Sequence, residues 1–218
     1  LNGKPVPQAM LDQIKPSFLK SGFPDFIAST TERIAKGMEH ILNEKSEKQV
    51  KVYTAYKHTA PFVEEAFAQA VKDGATTFVT LPINAIDSDS GGGAVHTEVA
   101  NLIGEQSFRH IALNNWHLDD GIVELYTDRI LRALNWLPVQ AQNYAHVLFT
   151  VHSQPLNPER NAPYVQQFEQ MAKAIAAKAN IGNYHLTYRS SGGKSNWLAP
   201  DVKDKIKELH AEGATGFV

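Results

Sequence analysis

Nine histidines and no cysteine set the metal and proton chemistry open to this chain of 218 residues. Thiolate zinc sites, disulfides and cysteine-ligated iron–sulfur clusters are excluded, which leaves imidazole, carboxylate and hydroxyl groups. His152 stands directly after an apolar run, in Val151-His152-Ser153-Gln154-Pro155. A neutral imidazole is both a general base and a ligand for borderline metals, and the end of a strand holds it rigidly. The other reading of the same position is a histidine that caps the strand and bonds the backbone. His58, in Tyr56-Lys57-His58-Thr59-Ala60-Pro61, also follows an apolar run. Pro61 reads as the first turn of a helix. The positive end of that helix disfavours a charged imidazole and keeps His58 an acceptor or ligand, unless it is a surface histidine beside the helix.

Three further places carry groups that could hold a ligand. The stretch Asp87-Ser88-Asp89-Ser90-Gly91-Gly92-Gly93 could cradle an anion or a hard cation. It lacks the lysine of a phosphate loop and the spacing of a dinucleotide fingerprint, so a solvated loop is the simpler reading. Arg189-Ser190-Ser191-Gly192-Gly193 follows another apolar run. Trp197, in Asn196-Trp197-Leu198-Ala199-Pro200, could stack on a flat ligand or anchor its own loop. Trp116, His117 and Trp136 read as packing residues. His40, His96, His110, His146, His185 and His210 read as structural or surface histidines, with only His96 placed where it could face a cleft. No HExxH, CxxC or GxSxG pattern occurs.

The elements that must position these groups alternate along the chain. Helical spacing predicts helices over Pro7–Lys20, Ser29–Asn43, Pro61–Lys72, Ala94–Gly104, Asp120–Leu134, Tyr164–Ala179 and Pro200–His210. Short apolar runs predict strands at Gln49–Ala55, Thr76–Pro82, Arg109–Leu113, His146–Val151 and Tyr184–Tyr188, with another starting at Gly216–Val218. This alternation means a mostly parallel sheet with helices on both faces. Ligands of such sheets bind beyond the carboxyl ends of the strands, which is where His58, Ser88, His152 and Ser190 fall. The chain also echoes itself: Ala70–Val79 reads AVKDGATTFV and Leu209–Val218 reads LHAEGATGFV. Either both are common helix-to-strand turns, or the chain contains two similar α/β halves that join between Leu113 and Val147.

Composition narrows the partners. Hydrophobic residues make up 43% and charged residues 20%, as in ordinary globular chains. The net charge of -2 lacks the clustered basic excess of a nucleic-acid binder. No apolar stretch approaches the roughly 20 residues of a membrane span, and no signal peptide is visible, so the expected compartment is the cytoplasm.

Several stretches together resemble the ferrochelatase family, especially its soluble Gram-positive branch. Val147–Pro155 (VLFTVHSQP) is similar to the family's LFSAHSLP signature. Tyr188–Gly192 with Trp197–Val202 resembles its QSxxG…WLxPD block. Tyr56–Phe67 (YKHTAPFVEEAF) is similar to LKHxxPFxEDA, and Thr80–Ser88 (TLPINAIDS) corresponds to LPLYPQYS. The resemblance implies two Rossmann-like, chelatase-type halves, residues 1–113 and 114–218, with parallel sheets flanked by helices and a porphyrin cleft between them. It implies insertion of Fe²⁺, as substrate, into coproporphyrin III or protoporphyrin IX, with no organic cofactor. It gives His152 the metal and the pyrrole protons, and makes His58, Ser88, Ser190 and Trp197 porphyrin-side residues. A monomer with no nucleic-acid partner is expected.

The sequence departs from the family at Pro16-Ser17, where relatives carry Arg-Tyr, at Ser21-Gly22-Phe23-Pro24-Asp25, at Ala85-Ile86-Asp87, and near Val95, where relatives carry a haem-ligating tyrosine. The family's glutamate partner for the histidine is expected beyond Val218, and part of the porphyrin-clasping segment before Leu1. The chain by itself is therefore expected to catalyse poorly. The alternatives to a ferrochelatase are a diverged tetrapyrrole or metal binder without activity, and a chelatase for another tetrapyrrole or metal.

Overall fold

The computed structural model describes residues 7–20, 26–88, 91–191 and 194–218. Residues 21–25, Asp89, Ser90, Gly192 and Gly193, all singled out above, lie outside the described residues. The chain forms two compact units, Leu1–Asp73 and Gly74–Val218. Among the described residues no helix is long and apolar enough to cross a membrane.

The first unit holds α1 (Gln8–Lys20), α2 (Phe26–Lys45) and α3 (Val63–Lys72). The Glu65 carboxylate accepts from the Phe62 amide at 2.8 Å, so α3 begins after Phe62 and Pro61 precedes it rather than opening its first turn. The segment Gln49–Ala55, expected as a strand, pairs with no strand among the described residues. Its amides bond to side chains of α2 instead: Val50 N–H to Asn43 Oδ1 at 2.9 Å, and Val52 N–H to Glu39 Oε2 at 2.7 Å. The other end of the segment is tied to the end of α3. Asp73 accepts from the Lys51 ammonium and, at 2.7 Å, from the Tyr53 hydroxyl, which together hold its carboxyl at about 2.

The second unit contains β1 (Thr77–Thr80), α4 (Gly92–Ile103), β2 (Arg109–Ala112), α5 (Asp120–Leu134), α6 (Val139–Gln142), β3 (Val147–His152), α7 (Pro158–Lys178), β4 (Tyr184–Arg189) and α8 (Val202–Ala211). It is a mixed α/β arrangement of short parallel sheets flanked by helices, the expected class. β1 pairs with β2 from Thr77↔Arg109 to Thr80↔Ala112, and β3 with β4 from Val147↔Tyr184 to His152↔Arg189. On the other side of β3, His146 bridges Phe217 and Leu148 N–H donates to the Val218 carbonyl at 2.7 Å. β3 is thus the inner strand of its sheet. This position suits VLFTV, a continuous apolar run of the kind parallel sheets bury.

α7 begins at Pro158 rather than Tyr164. Asn157 caps it by accepting from Arg160 N–H at 3.1 Å, and Pro158 lies in the first turn, where its missing N–H costs nothing. The core forms where α5 and α7 meet β3 and β4. Val123, Met171 and Ile175 make one buried cluster, and Tyr164, Phe168 and Tyr188 another. Ile86 and Phe149 pack against both. Trp136, read above as a packing residue, is 90% exposed, because it sits in the turn after α5, past the face that packs on α7.

The sequence echo corresponds to one local structure used twice. Asp73 and Glu212 close α3 and α8, and Gly74 (φ 89°) and Gly213 (φ 100°) then turn the chain through the left-handed region. A Cβ at either glycine would meet nothing within 4 Å, so the requirement is conformational, not steric. Gly74→Ala and Gly213→Ala should each cost about 1–2 kcal/mol, the left-handed penalty of an L-residue, read as a lower urea midpoint with an unchanged slope. A neutral substitution at both would show that these turns relax.

Candidate functional site

The carboxyl end of β3 is built by long-range contacts that grip the backbone and leave one imidazole free. His152, the last residue of β3, lies opposite Arg189, the last of β4, and its side chain is exposed. The next residue, Ser153, is fully buried. Its N–H donates to the Arg189 carbonyl and its hydroxyl to the Leu198 carbonyl, both at 2.7 Å. The chain then zips onto residues 196–198. Leu198 N–H donates to Gln154 at 2.9 Å, Pro155 bridges Trp197, and Leu156 N–H donates to Asn196 at 2.8 Å. From α7, the Tyr164 hydroxyl donates to the His152 carbonyl at 2.9 Å. Burial, with Tyr188 beside it, pushes the Tyr164 phenol up to about 12, so it stays a donor at any physiological pH. A backbone fixed on both sides with an accessible ring is the geometry a metal ligand or general base requires.

Ser190 and Trp197 lie at this same end. Ser190 follows Arg189, is exposed, and holds φ 68°, a left-handed conformation uncommon outside glycine. Trp197 is half-buried, with Lys194 Nζ over its ring at 4.6 Å. Ser88, in the loop between β1 and α4, is half-buried, and its carbonyl accepts from Gly91 and Gly93 N–H at 2.9 and 3.1 Å. Gly92 has no room for a side chain: a Cβ would lie 2.7 Å from Pro82 and 2.8 Å from Asp87 Oδ1. His58 belongs to the first unit, exposed in a turn that the Tyr56 N–H to Pro61 carbonyl bond closes at 2.9 Å. Ser153 and Tyr164 are the residues that reading the sequence for chemistry passes over. Ser153 is adjacent to His152, but Tyr164 has no local signal of its role.

The other histidines mostly pair internally. His96 is buried, its Nδ1 2.6 Å from Thr80 Oγ1, which also lies 2.9 Å from His110 Nε2. It is turned onto the sheet, not toward open space. His117 is buried against Gln170 at 3.0 Å. His146 Nδ1 and His185 Nε2 are 2.9 Å apart with the rings stacked at 5.1 Å, so one nitrogen donates and the other accepts. Burial first, then His146 and Lys205, hold the His185 imidazole below its usual range; burial and His96 do the same to His110. A depressed histidine contributes fully above the unfolded value near 6.5, and that stability is lost as pH falls from there toward the folded value, because only the unfolded chain gains the proton. The urea midpoint should therefore fall below about pH 6.5. Replacing His185 with Gln should flatten that fall, and an unchanged slope would exclude the pair as its source.

Among the described residues no group of three or more histidine, aspartate or glutamate side chains converges to hold a metal. The candidate site therefore rests on a single exposed imidazole at the end of β3.

The coproporphyrin III ferrochelatase of Oceanobacillus iheyensis is 26% identical over 219 residues, covering 99% of this chain and 70% of the relative. That of Bacillus subtilis is 30% identical over 222 residues, covering 99% of this chain and 71% of the relative. This chain thus spans about 70% of the length of these relatives. Among solved structures, SirB from Bacillus subtilis with Fe³⁺ superposes with a TM-score of 0.61 at 15% identity, over 86% of this chain and 69% of that one, a likeness of fold. The sequence pattern of the ferrochelatase family matches residues 19–218, the span that includes the β3 strand end and both units' candidate residues. This chain belongs to the ferrochelatase family.

Proposed function

We propose that this chain inserts ferrous iron into a porphyrin, coproporphyrin III first and protoporphyrin IX as the alternative, with His152 meeting the metal and taking pyrrole protons. The observation that supports it is the β3 strand end: an exposed imidazole on a backbone held by Ser153 and Tyr164, inside the matched family region. Insertion exchanges two pyrrole protons for one divalent ion. A neutral imidazole beside the macrocycle ligates Fe²⁺ or accepts a proton through the same lone pair, so the two roles follow one another: the ring releases the ion to the macrocycle, takes one pyrrole proton, passes it to solvent at its exposed edge, and is then free for the second.

In this reading His58, Ser88, Ser190 and Trp197 face the porphyrin. Trp197 offers a flat apolar surface, and the serines offer hydroxyls for the macrocycle's edge. The chain works as two halves, 1–113 and 114–218, on either side of a cleft; the division falls between the β1–β2 and β3–β4 sheets. It acts without an organic cofactor or a nucleic-acid partner, as a monomer in the cytoplasm, with iron as substrate.

The test is anaerobic ferrous iron added to the full-length protein with coproporphyrin III, protoporphyrin IX or sirohydrochlorin, following loss of porphyrin fluorescence. Faster loss with coproporphyrin III is expected. Porphyrin bound by folded protein without insertion would overturn the reading in favour of a tetrapyrrole binder, and preference for sirohydrochlorin would move the substrate class.

A further inference from the structure

α7 carries a polar residue at every third position from Asn161 to Gln170, and each one bonds a residue outside the helix. Asn161, 3% exposed, accepts from Asn157 N–H at 2.7 Å and donates to Gln154 at 3.3 Å. Tyr164 holds the His152 carbonyl. Gln167 Oε1 accepts from Asp87 N–H at 2.8 Å, and its Nε2 donates to Asn115 Oδ1 at 2.5 Å. Gln170 meets His117 at 3.0 Å. On an α-helix, steps of three slip back about 60° each, so this row winds about half way round α7 over roughly 13–14 Å. The near end of the row faces the β3 strand end, and the far end faces the loops that leave β1 and β2.

Those two loops are also joined to each other and to the core. The Trp116 indole donates to the Pro82 carbonyl at 3.2 Å, Asn115 holds φ 59°, and Ile86 packs against Met171 and Phe168 of α7 or their clusters. Gln167 bonds both loops at once, and both ends of its amide are used. It bonds the backbone of the residue before Ser88, so it acts on where that loop sits, whatever side chain the loop presents.

We infer that Gln167 is a positioning residue for the porphyrin: through α7 it keeps the Ser88 loop in register with the strand end that bears His152. The inference rests on the functional reading above for the ligand, but the tether it describes can be measured without activity. Gln167→Leu keeps most of the side-chain volume and removes both hydrogen bonds. In the iron-insertion assay its KM for porphyrin should rise about tenfold, the effect of one to two lost bonds, with the KM for ferrous iron unchanged and kcat within about threefold. Combined with Ser88→Ala, the loss should be less than the product of the single losses, because both act through one loop. Asn115→Gly releases one end of the amide without straining the left-handed backbone there and should raise the porphyrin KM about threefold; it carries the same test if Gln167→Leu fails to fold.

A purely structural role would lower the urea midpoint and leave the porphyrin KM at the parental value, which would overturn the inference; so would losses that multiply with Ser88→Ala. Hydrogen exchange separates this from failure of the functional reading. In Gln167→Leu the Asp87 amide should exchange about tenfold faster, and parental protection there overturns the tether whether or not the parent inserts iron. A parent that neither binds nor metallates any porphyrin, with the amide exchange altered as expected, sinks the functional reading and with it the porphyrin role, and leaves only the tether.

Discussion

His152→Ala should lower the rate of iron insertion by about 10²–10⁴-fold, the usual contribution of a positioned general base, while porphyrin binding and the urea midpoint stay close to parental. The separation is expected because the imidazole and the backbone of this residue do different things. The imidazole is exposed and contributes no core packing. The contacts that hold the strand end are made by other groups: the His152 carbonyl bonded by Tyr164, the Ser153 amide and hydroxyl, and the ladder to Arg189. None of them needs the ring, so stability should change by no more than about 0.5 kcal/mol, as for other exposed positions. His152→Gln, which keeps a polar group but not an imidazole lone pair, should be nearly as impaired. The measurement is the initial rate of porphyrin fluorescence loss under anaerobic ferrous iron, with porphyrin affinity taken from quenching in the absence of metal. Full activity in the alanine variant would remove His152 from the chemistry and return it to a strand-end histidine.

Phe168→Ala should be among the most damaging single changes to stability, at about 3–5 kcal/mol, because it combines lost burial with a cavity in a packed interior. Phe168 is 3% exposed and meets the Tyr188 ring edge-on, with centroids 5.7 Å apart and an interplanar angle of 67°. Against the cluster it forms with Tyr164 and Tyr188 pack Phe149, Val151, Leu186 and Leu198, from β3, β4 and the segment that zips onto the residues after His152. Two layers are joined at this point, α7 on one side and the β3–β4 sheet on the other. Phe168→Leu, closer in volume, should cost less, about 1–1.5 kcal/mol. Urea unfolding of both variants gives the comparison. A loss below about 1 kcal/mol for the alanine variant would mean that the neighbouring side chains collapse into the space. Because Leu198 packs against the cluster that contains Phe168, and its carbonyl holds the Ser153 hydroxyl, the alanine variant should also lose activity below its unfolding transition, as the Ser153 to Leu198 link loosens.

The sequence by itself determined the α/β class, because parallel-sheet strands and amphipathic helices have different periods and VLFTV, TFVT and Asp120–Leu134 show them without ambiguity. It also pointed to the candidate imidazole, because His152 directly follows a continuous apolar run and the surrounding motif is contiguous. The paired glycines were legible for the same reason: a turn through positive φ is a one-residue requirement.

What only the tertiary structure decided is where polar groups found partners. Gln49–Ala55 has the pattern of a strand, but a strand also needs a neighbour, and here Asn43 and Glu39 take its amides. The supports of His152 come from residues 12 to 45 positions away, and Gln167 reaches Asp87 across 80. Side-chain bonds to a distant backbone leave no periodicity in the sequence, so Tyr164 and Gln167 look like any residue on the polar side of a helix. The same holds for His146 and His185, which are ordinary histidines until parallel pairing of β3 and β4 sets them 2.9 Å apart. Local chemistry follows from residue type and spacing, whereas its positioning follows from which surfaces meet when apolar area is buried, a property of the whole fold.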